Sequence, residues 1–240
     1  MVPEHCRFPQ ATALSEGNQR VFFVNLGPKP YTEAWDLQHR LVKSRQAGDI
    51  DDVLLLVEHP PVITLGRAAN AEHVLAASRK LDEAGIGVHR VERGGDVTYH
   101  GPGQLVGYPI LCLAAYHLGA SDYMHALEEV LIRTLADFDV PACRREGIIG
   151  VWAPGGKIAA LGARIERGVT YHGFALNVHP DLQHFDLIIP CGLSDVSVTS
   201  MEHELKQRIP LKLVRERLVL RFGEVLNVAM QETTLEQLAP

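Results

Sequence analysis

The sequence predicts an α+β fold: a single domain with a mixed, largely antiparallel sheet flanked by helices. Apolar residues fill 46% of the 240 positions and charged residues 22%, which is enough to bury a core. Short apolar, β-branched runs punctuated by Gly and Pro follow one another in blocks, with few helical patterns between them. No repeat, low-complexity linker or break in composition marks a second domain. Residues 1–20 read as a loose N-terminal arm, 21–226 as the folded domain and 227–240 as a C-terminal tail.

The elements follow in order. Val21–Leu26 reads as a strand stopped by Gly27-Pro28. Thr32 fits an N-cap, and Glu33 to about Gln46 is helical, with Ala34, Leu37, Leu41 and Val42 on one face. Val53–Val57 and, after Pro60-Pro61, Val62–Leu65 are apolar strands. A short helix is expected around Ala71–Ala84. Val88–Glu92 and Leu105–Leu111 are strands flanking a glycine-rich turn. Ser121–Phe138 is the clearest helix, because Met124, Leu127, Leu131 and Leu135 recur at three and four. Ile148–Trp152, Lys157–Ile165 and Val169–Val178 read as strands joined by Pro154-Gly155-Gly156 and Arg167-Gly168. Pro180–Leu187 forms a short helix or turn, and Thr199 with Glu202 fits a capping box. A last helix follows Pro210, turning Leu211, Val214, Leu218, Phe222 and Val225 inward.

Composition excludes several classes. A formal net charge of −6 argues against broad nucleic-acid binding. No apolar run reaches 18 residues, so no membrane span is expected. The first residues lack a signal-peptide pattern, and Glu4 and Glu16 argue against a transit peptide. Cys6, Cys112, Cys143 and Cys191 lie far apart without a CxxC, which fits reduced thiols in a cytoplasmic protein. Cys112, between Leu111 and Leu113, reads as a core residue.

Four segments could carry chemistry. In Ile188-Ile189-Pro190-Cys191-Gly192-Leu193 a thiol ends an apolar run between a residue with fixed φ and one that permits close approach. That suits a nucleophile at a pocket mouth, and equally a loop cysteine, because a thiol needs an activating partner. Arg93-Gly94-Gly95-Asp96-Val97-Thr98-Tyr99-His100-Gly101-Pro102-Gly103-Gln104 is either a glycine-rich hairpin or a wall against which a ligand lies. It lacks the GxxxxGKS/T and GxGxxG phosphate patterns. Gly155-Gly156-Lys157-Ile158-Ala159-Ala160-Leu161-Gly162 opens a small, apolar strand with a lysine. That lysine is either an exposed strand end or a proton carrier held in a poorly hydrated cleft. Thr170-Tyr171-His172-Gly173-Phe174-Ala175-Leu176-Asn177-Val178 has the small residues of a channel wall, and its His172 fits the core, a pocket hydrogen bond or a metal. A zinc site from His100, His172, His179 and Cys191 lacks the spacing of known metal motifs, so no metal is expected.

At these residues the chain resembles the octanoyl-acyl-carrier-protein:protein N-octanoyltransferases, the lipoate biosynthesis protein B family. Arg93–Gln104 with Tyr108-Pro109 is similar to the signature R-G-G-x-x-T-Y-H-G-P-G-Q. The Lys157 segment, His172–Asn177 and Pro190-Cys191-Gly192 resemble its later blocks in the same order, and Glu58-His59-Pro60-Pro61 with Thr64–Arg67 its early block. The resemblance covers roughly Val21 to Glu202. It implies a fold similar to the catalytic domains of lipoate and biotin protein ligases, with residues 21–226 as an acyltransferase domain. It implies transfer of an octanoyl or lipoyl group from acyl carrier protein to a lysine of the lipoyl domains of 2-oxoacid dehydrogenases or the glycine-cleavage H protein. Carried over, Cys191 is the acyl-accepting nucleophile and Lys157 its partner. Arg93, Gly94, Gly95, Asp96, Val97, Thr98, Tyr99 and His100, with Ala160, Leu161 and Gly162 and with Gly173, Phe174 and Ala175, line the acyl site. No cofactor, ATP or metal is implied.

The residue types suit that chemistry. A thiol is intrinsically nucleophilic, and a neighbouring lysine can take its proton or stabilise the thiolate. Thioester to thioester is close to energy-neutral and thioester to amide is downhill. Burying about seven acyl carbons at roughly 0.8 kcal/mol per methylene contributes on the order of 5 kcal/mol. Acidic partners would need a basic docking patch on this negative chain. Lys206, Arg208, Lys212, Arg215, Arg217 and Arg221 form one candidate, and Arg144 with Arg145 another; each is also readable as a solvated face. An ATP-dependent lipoate or biotin ligase and a non-catalytic acyl-protein binding module are the competing readings.

Overall fold

The run Val53–Val57 becomes the centre of the molecule because every one of its side chains is apolar, so it can be buried on both faces of a sheet. The computed structural model describes residues 19–190 and 196–238. In chain order its elements are β1 (Arg20–Pro28), α1 (Tyr31–Ala47), β2 (Asp52–Glu58), β3 (Val62–Leu65), α2 (Ser78–Glu83), β4 (Gly87–Arg90), β5 (Val97–His100) and β6 (Gln104–Ile110). They continue with α3 (Ala120–Ala136), β7 (Cys143–Arg145), β8 (Ile148–Ala153), β9 (Gly156–Glu166), β10 (Val169–Asn177), α4 (Met201–Leu205), α5 (Leu211–Leu226), β11 (Ala229–Glu232) and α6 (Leu235–Leu238).

The eight-stranded sheet has the order β11-β1-β2-β6-β10-β9-β8-β7. Strand β1 is parallel to both β11 and β2, and every other pair is antiparallel, so the sheet is mixed and largely antiparallel. A second, three-stranded sheet has the order β4-β3-β5. Alternation along β2 sends Leu54 and Leu56 to one face and Val53, Leu55 and Val57 to the other. On the first face α3 and α5 supply Leu127, Leu131, Leu135, Val214, Leu218 and Phe222. On the second, α1 supplies Ala34, Leu37, Leu41 and Val42. None of the helices among the described residues is long and apolar enough to cross a membrane.

Several local expectations change. Helix α1 starts at Tyr31 with Pro30 as its N-cap, so Thr32 lies inside it. The helix expected over Ala71–Ala84 is two pieces, a 3₁₀ turn at Ala71–His73 and α2, because Val74 bridges to Ile188 instead. Val97–His100 is not a turn within a hairpin. It is strand β5 of the small sheet, paired antiparallel with β3. The α4 cap is Ser200, whose hydroxyl accepts from the His203 N–H at 3.2 Å, while Thr199 donates to Glu204 at 2.5 Å. Residues 229–232, in the segment read as the tail, pair with β1 and form an edge of the large sheet. Cys112 is half-buried against the α1-side core.

Candidate functional site

A cavity of about 480 Å³ lies between the large sheet and the small one. Its floor comes from β6, β9 and β10 and its opposite wall from β5 and the glycine-rich segment before it. That segment is strapped on two sides. Gly66, Arg67 and Ala68 donate their N–H groups to Asp96, Arg93 and Gly95 at 3.0–3.1 Å, and Gly94 N–H donates to Ala163 O of β9 at 3.0 Å. The buried Arg93 locks the strap: its Nη2 donates to Thr64 O at 2.6 Å, its Nε to Thr64 Oγ1 at 3.1 Å and its Nη1 to Gly94 O at 3.0 Å. Asp96 accepts from Val97 N–H at 2.7 Å and sits 2.5 Å from His73 Nδ1.

The β9–β10 hairpin aligns the opposite wall. Arg167 and Gly168 both take positive φ, the backbone of a tight two-residue hairpin turn. The resulting register sets Gly173 against Gly162, Phe174 against Leu161 and Ala175 against Ala160. Gly173 has φ +159°, and a Cβ there would overlap the Gly107 carbonyl oxygen and lie 2.7 Å from Pro109 Cδ. Its smallness therefore serves the close approach of β6 to β10 as well as the cavity.

The structure gathers Arg93, Gly94, Gly95, Asp96, Val97, Thr98, His100, Lys157, Ala160, Leu161, Gly162, Gly173, Phe174 and Ala175 around this one cavity. Tyr99 departs from the expectation. It points to the other side of β5, its hydroxyl 2.7 Å from His184 Nδ1 and its ring against Phe185, because Thr98 and His100 take the alternate, cavity-facing positions. Cys191 lies outside the described residues, as do Gly192 and Leu193.

Lys157 is 4% exposed, and its Nζ donates to Ile149 O at 3.2 Å and lies 5.5 Å from the centre of the Trp152 ring. Its backbone pairs with the chain that follows residues 191–195: Lys157 N–H donates to Ser197 O at 2.8 Å and Thr199 N–H to Lys157 O at 3.0 Å. Pro190, on the other flank of that segment, shares a small cleft with Lys157 and Val198. The chain on both sides of residues 191–195 thus borders the lysine.

Tyr31, His100, Tyr108 and His172 bring aromatic and polar groups to the cavity, with His59 and Glu92 behind them. Tyr31 stacks on His100, their centroids 6.1 Å apart, and His59 Nε2 lies 2.7 Å from Tyr108 Oη. Burial lowers His59 to about 4, although His59 Nδ1 bonds to Lys29 O. Burial lowers His100 well below the usual histidine value, with His59 and Arg93 adding to it. His172 is buried with Nε2 3.5 Å from Glu92 Oε2, and burial lowers it too. Glu92 is held down to about 2 mainly by His172, against its partial burial, with Trp35 Nε1 also donating at 3.1 Å. His179 stands apart, 3.2 Å from Arg208.

Sequence reasoning missed Tyr31, Val106, Met124, Ile148, Ile149 and Ala163, which also line the cavity, and it gave Tyr108 no role. It also missed Glu128, whose one signal was a carboxylate set among the apolar positions of α3. Of the basic patches, Arg144 turns inward onto Glu128 and Glu129, and Arg145 lies over the Trp152 ring at 3.9 Å. Arg221 is engaged by Asp137 and Glu224, whereas Lys206, Arg208 and Arg217 are exposed.

Residues 30–223 match the family model of the lipoyl protein ligase A/B catalytic domain. An octanoyltransferase of Acidobacterium capsulatum is 49% identical, covering 84% of this chain and 88% of that protein. One from Chloroflexus aurantiacus is 50% identical, covering 83% and 91%. Among solved structures, lipoate-protein ligase A bound with ATP superposes with a TM-score of 0.73 at 18% identity, covering 91% of this chain and 90% of that one. A bi-partite lipoate protein ligase from Thermoplasma acidophilum gives 0.72 at 19%, covering 91% and 87%; at such identities these two share the fold. The family match across most of the chain and relatives identical at about half of the aligned positions place it among the octanoyltransferases, acyltransferases built on the lipoyl protein ligase A/B catalytic fold.

Proposed function

We propose that this chain moves an octanoyl or lipoyl group from acyl carrier protein to a lysine of lipoyl domains, those of 2-oxoacid dehydrogenases and the glycine-cleavage H protein, through a thioester on Cys191. The observation that carries this reading is the enclosed Lys157 side chain on the wall of a cavity of about 480 Å³, bordered by the chain on either side of residues 191–195.

The steps balance without a co-reactant. The Cys191 thiol gives its proton to Lys157 and its sulfur attacks the carrier thioester. The bond to the phosphopantetheine sulfur breaks, and that thiolate takes the proton back from Lys157. The target lysine, giving a proton to Lys157, then attacks the Cys191 thioester. An amide forms and the Cys191 thiolate leaves, to be reprotonated by Lys157. The energy comes from the thioester, so the proposal calls on neither ATP nor a metal. We place the reaction in the cytoplasm, where the thiol stays reduced. Lys206, Arg208 and Arg217 supply the exposed positive charge to which an acidic carrier docks.

Purified protein is mixed with a lipoyl domain and either octanoyl-carrier or free octanoate plus ATP. Octanoylated lipoyl domain should form only with the carrier. Product from octanoate and ATP would favour an ATP-dependent ligase. Binding of both proteins without product would favour a non-catalytic module.

A further inference from the structure

A carboxylate outside the cavity lining reaches Lys157 through a single peptide unit. Lys157 Nζ donates to the Ile149 carbonyl at 3.2 Å. The N–H of that same peptide, on Gly150, donates to Glu128 Oε1 at 2.9 Å. Glu128 lies within α3 and is 1% exposed, beside Leu127 and Leu131 of the core. Its other oxygen accepts from Arg144 Nε at 3.1 Å and from His125 Nδ1 at 2.9 Å. A buried ion pair is weak evidence for stability, because apolar residues of the same volume often do as well. The arrangement calls for another reason.

We propose that Glu128 is a positioning residue for Lys157: through the Ile149–Gly150 peptide its carboxylate holds the side-chain nitrogen against β8 at the cavity wall and strengthens its hold on a proton. The proposal rests on Lys157 carrying protons in the transfer. A carboxylate on the N–H side of a peptide draws charge toward its carbonyl oxygen, and such chains strengthen each bond by about 10–30%. The local backbone is shaped for it. Gly150 has φ +148°, and a Cβ there would lie 2.6 Å from Lys157 Cε and 3.1 Å from Nζ.

The charges around the relay set opposite expectations for two substitutions. Arg144 partly neutralises Glu128, Glu129 pairs with Arg144 at 2.8 Å and with Arg133, and Arg145 occupies the Trp152 ring that Lys157 also faces. Removing the Glu128 charge takes a negative field from the amine. Removing Arg144 leaves that field less compensated.

The test is an NMR titration of the Lys157 Cε signal in the full-length chain, assigned with Lys157→Arg. Glu128→Gln should move the titration midpoint to lower pH by roughly half to one unit, and Arg144→Gln should move it to higher pH. No shift, or shifts of the same sign as general loosening would give, overturns the proposal. Should Glu128→Gln fail to fold by circular dichroism, the more exposed Arg144→Gln still decides, since an unmoved or lowered midpoint there refutes it. The readout needs no turnover, so failure of the transfer reading is seen separately, as full octanoyl transfer by Lys157→Met.

Discussion

Ala160→Val should shorten the preferred acyl chain. Ala160 lines the cavity, is only half-buried and faces Ala175 across the β9–β10 register. Its side chain has open space to grow into, and valine suits a strand, so the fold should tolerate the change. Val adds two methyl groups, which displace about two methylenes of the acyl chain. At roughly 0.8 kcal/mol each, an octanoyl donor loses about 1.6 kcal/mol, whereas a hexanoyl donor still fits. That converts to a change of about fifteen-fold in the ratio of kcat/KM for octanoyl over hexanoyl carrier. The assay is competition between the two loaded carriers, with products counted by mass spectrometry of the lipoyl domain. An unchanged ratio, or equal loss with both donors, would refute the placement of the acyl chain along Ala160.

Two other perturbations test different parts of the account. Gly173→Val should not report on chain length, because its Cβ would collide with the Gly107 carbonyl at a backbone φ of +159°. It should cost on the order of 2 kcal/mol or more in urea unfolding, and a stable variant with altered donor preference would contradict this. Acid should destabilise the fold well before carboxylates titrate. His59 is lowered from 6.5 to about 4, so below pH 6.5 the unfolded chain binds a proton that the folded chain refuses. The stability it contributes is complete above 6.5 and is lost toward pH 4, on the order of 3 kcal/mol for this one group. His100 and His172 shift in the same direction, and Glu92, held at about 2, adds its loss only below 4.5. A urea midpoint that stayed level from pH 7 to pH 4.5 would refute the buried, neutral histidines.

The sequence made the architecture legible where one local signal dominated. The α3 and α5 faces follow from apolar spacing, and β2 from an unbroken apolar run. It was misread where tertiary pairing overrode local pattern. Val97–His100 looked like part of a turn because the glycines around it are turn-formers, yet it pairs with β3, more than thirty positions upstream. The short strand β7, whose sequence is Cys-Arg-Arg, has no apolar signature and is specified by its partner β8. In the site, glycine-rich and small-residue segments pointed to the cavity walls, but side-chain direction was not legible. Tyr99 shares its strand with Thr98 and His100 and faces away from them. The contact of Glu128 was not legible, because it runs from helix α3 to the backbone of β8, a strand remote in sequence.

The most direct measurement is intact-mass spectrometry of the chain after mixing with octanoyl-loaded carrier and no acceptor, followed by peptide mapping. One octanoyl group should appear on the peptide that contains Cys191, be discharged by added lipoyl domain, and be absent in Cys191→Ser. Full transfer by Cys191→Ser, or an acyl group mapped to any other residue, would contradict the covalent account.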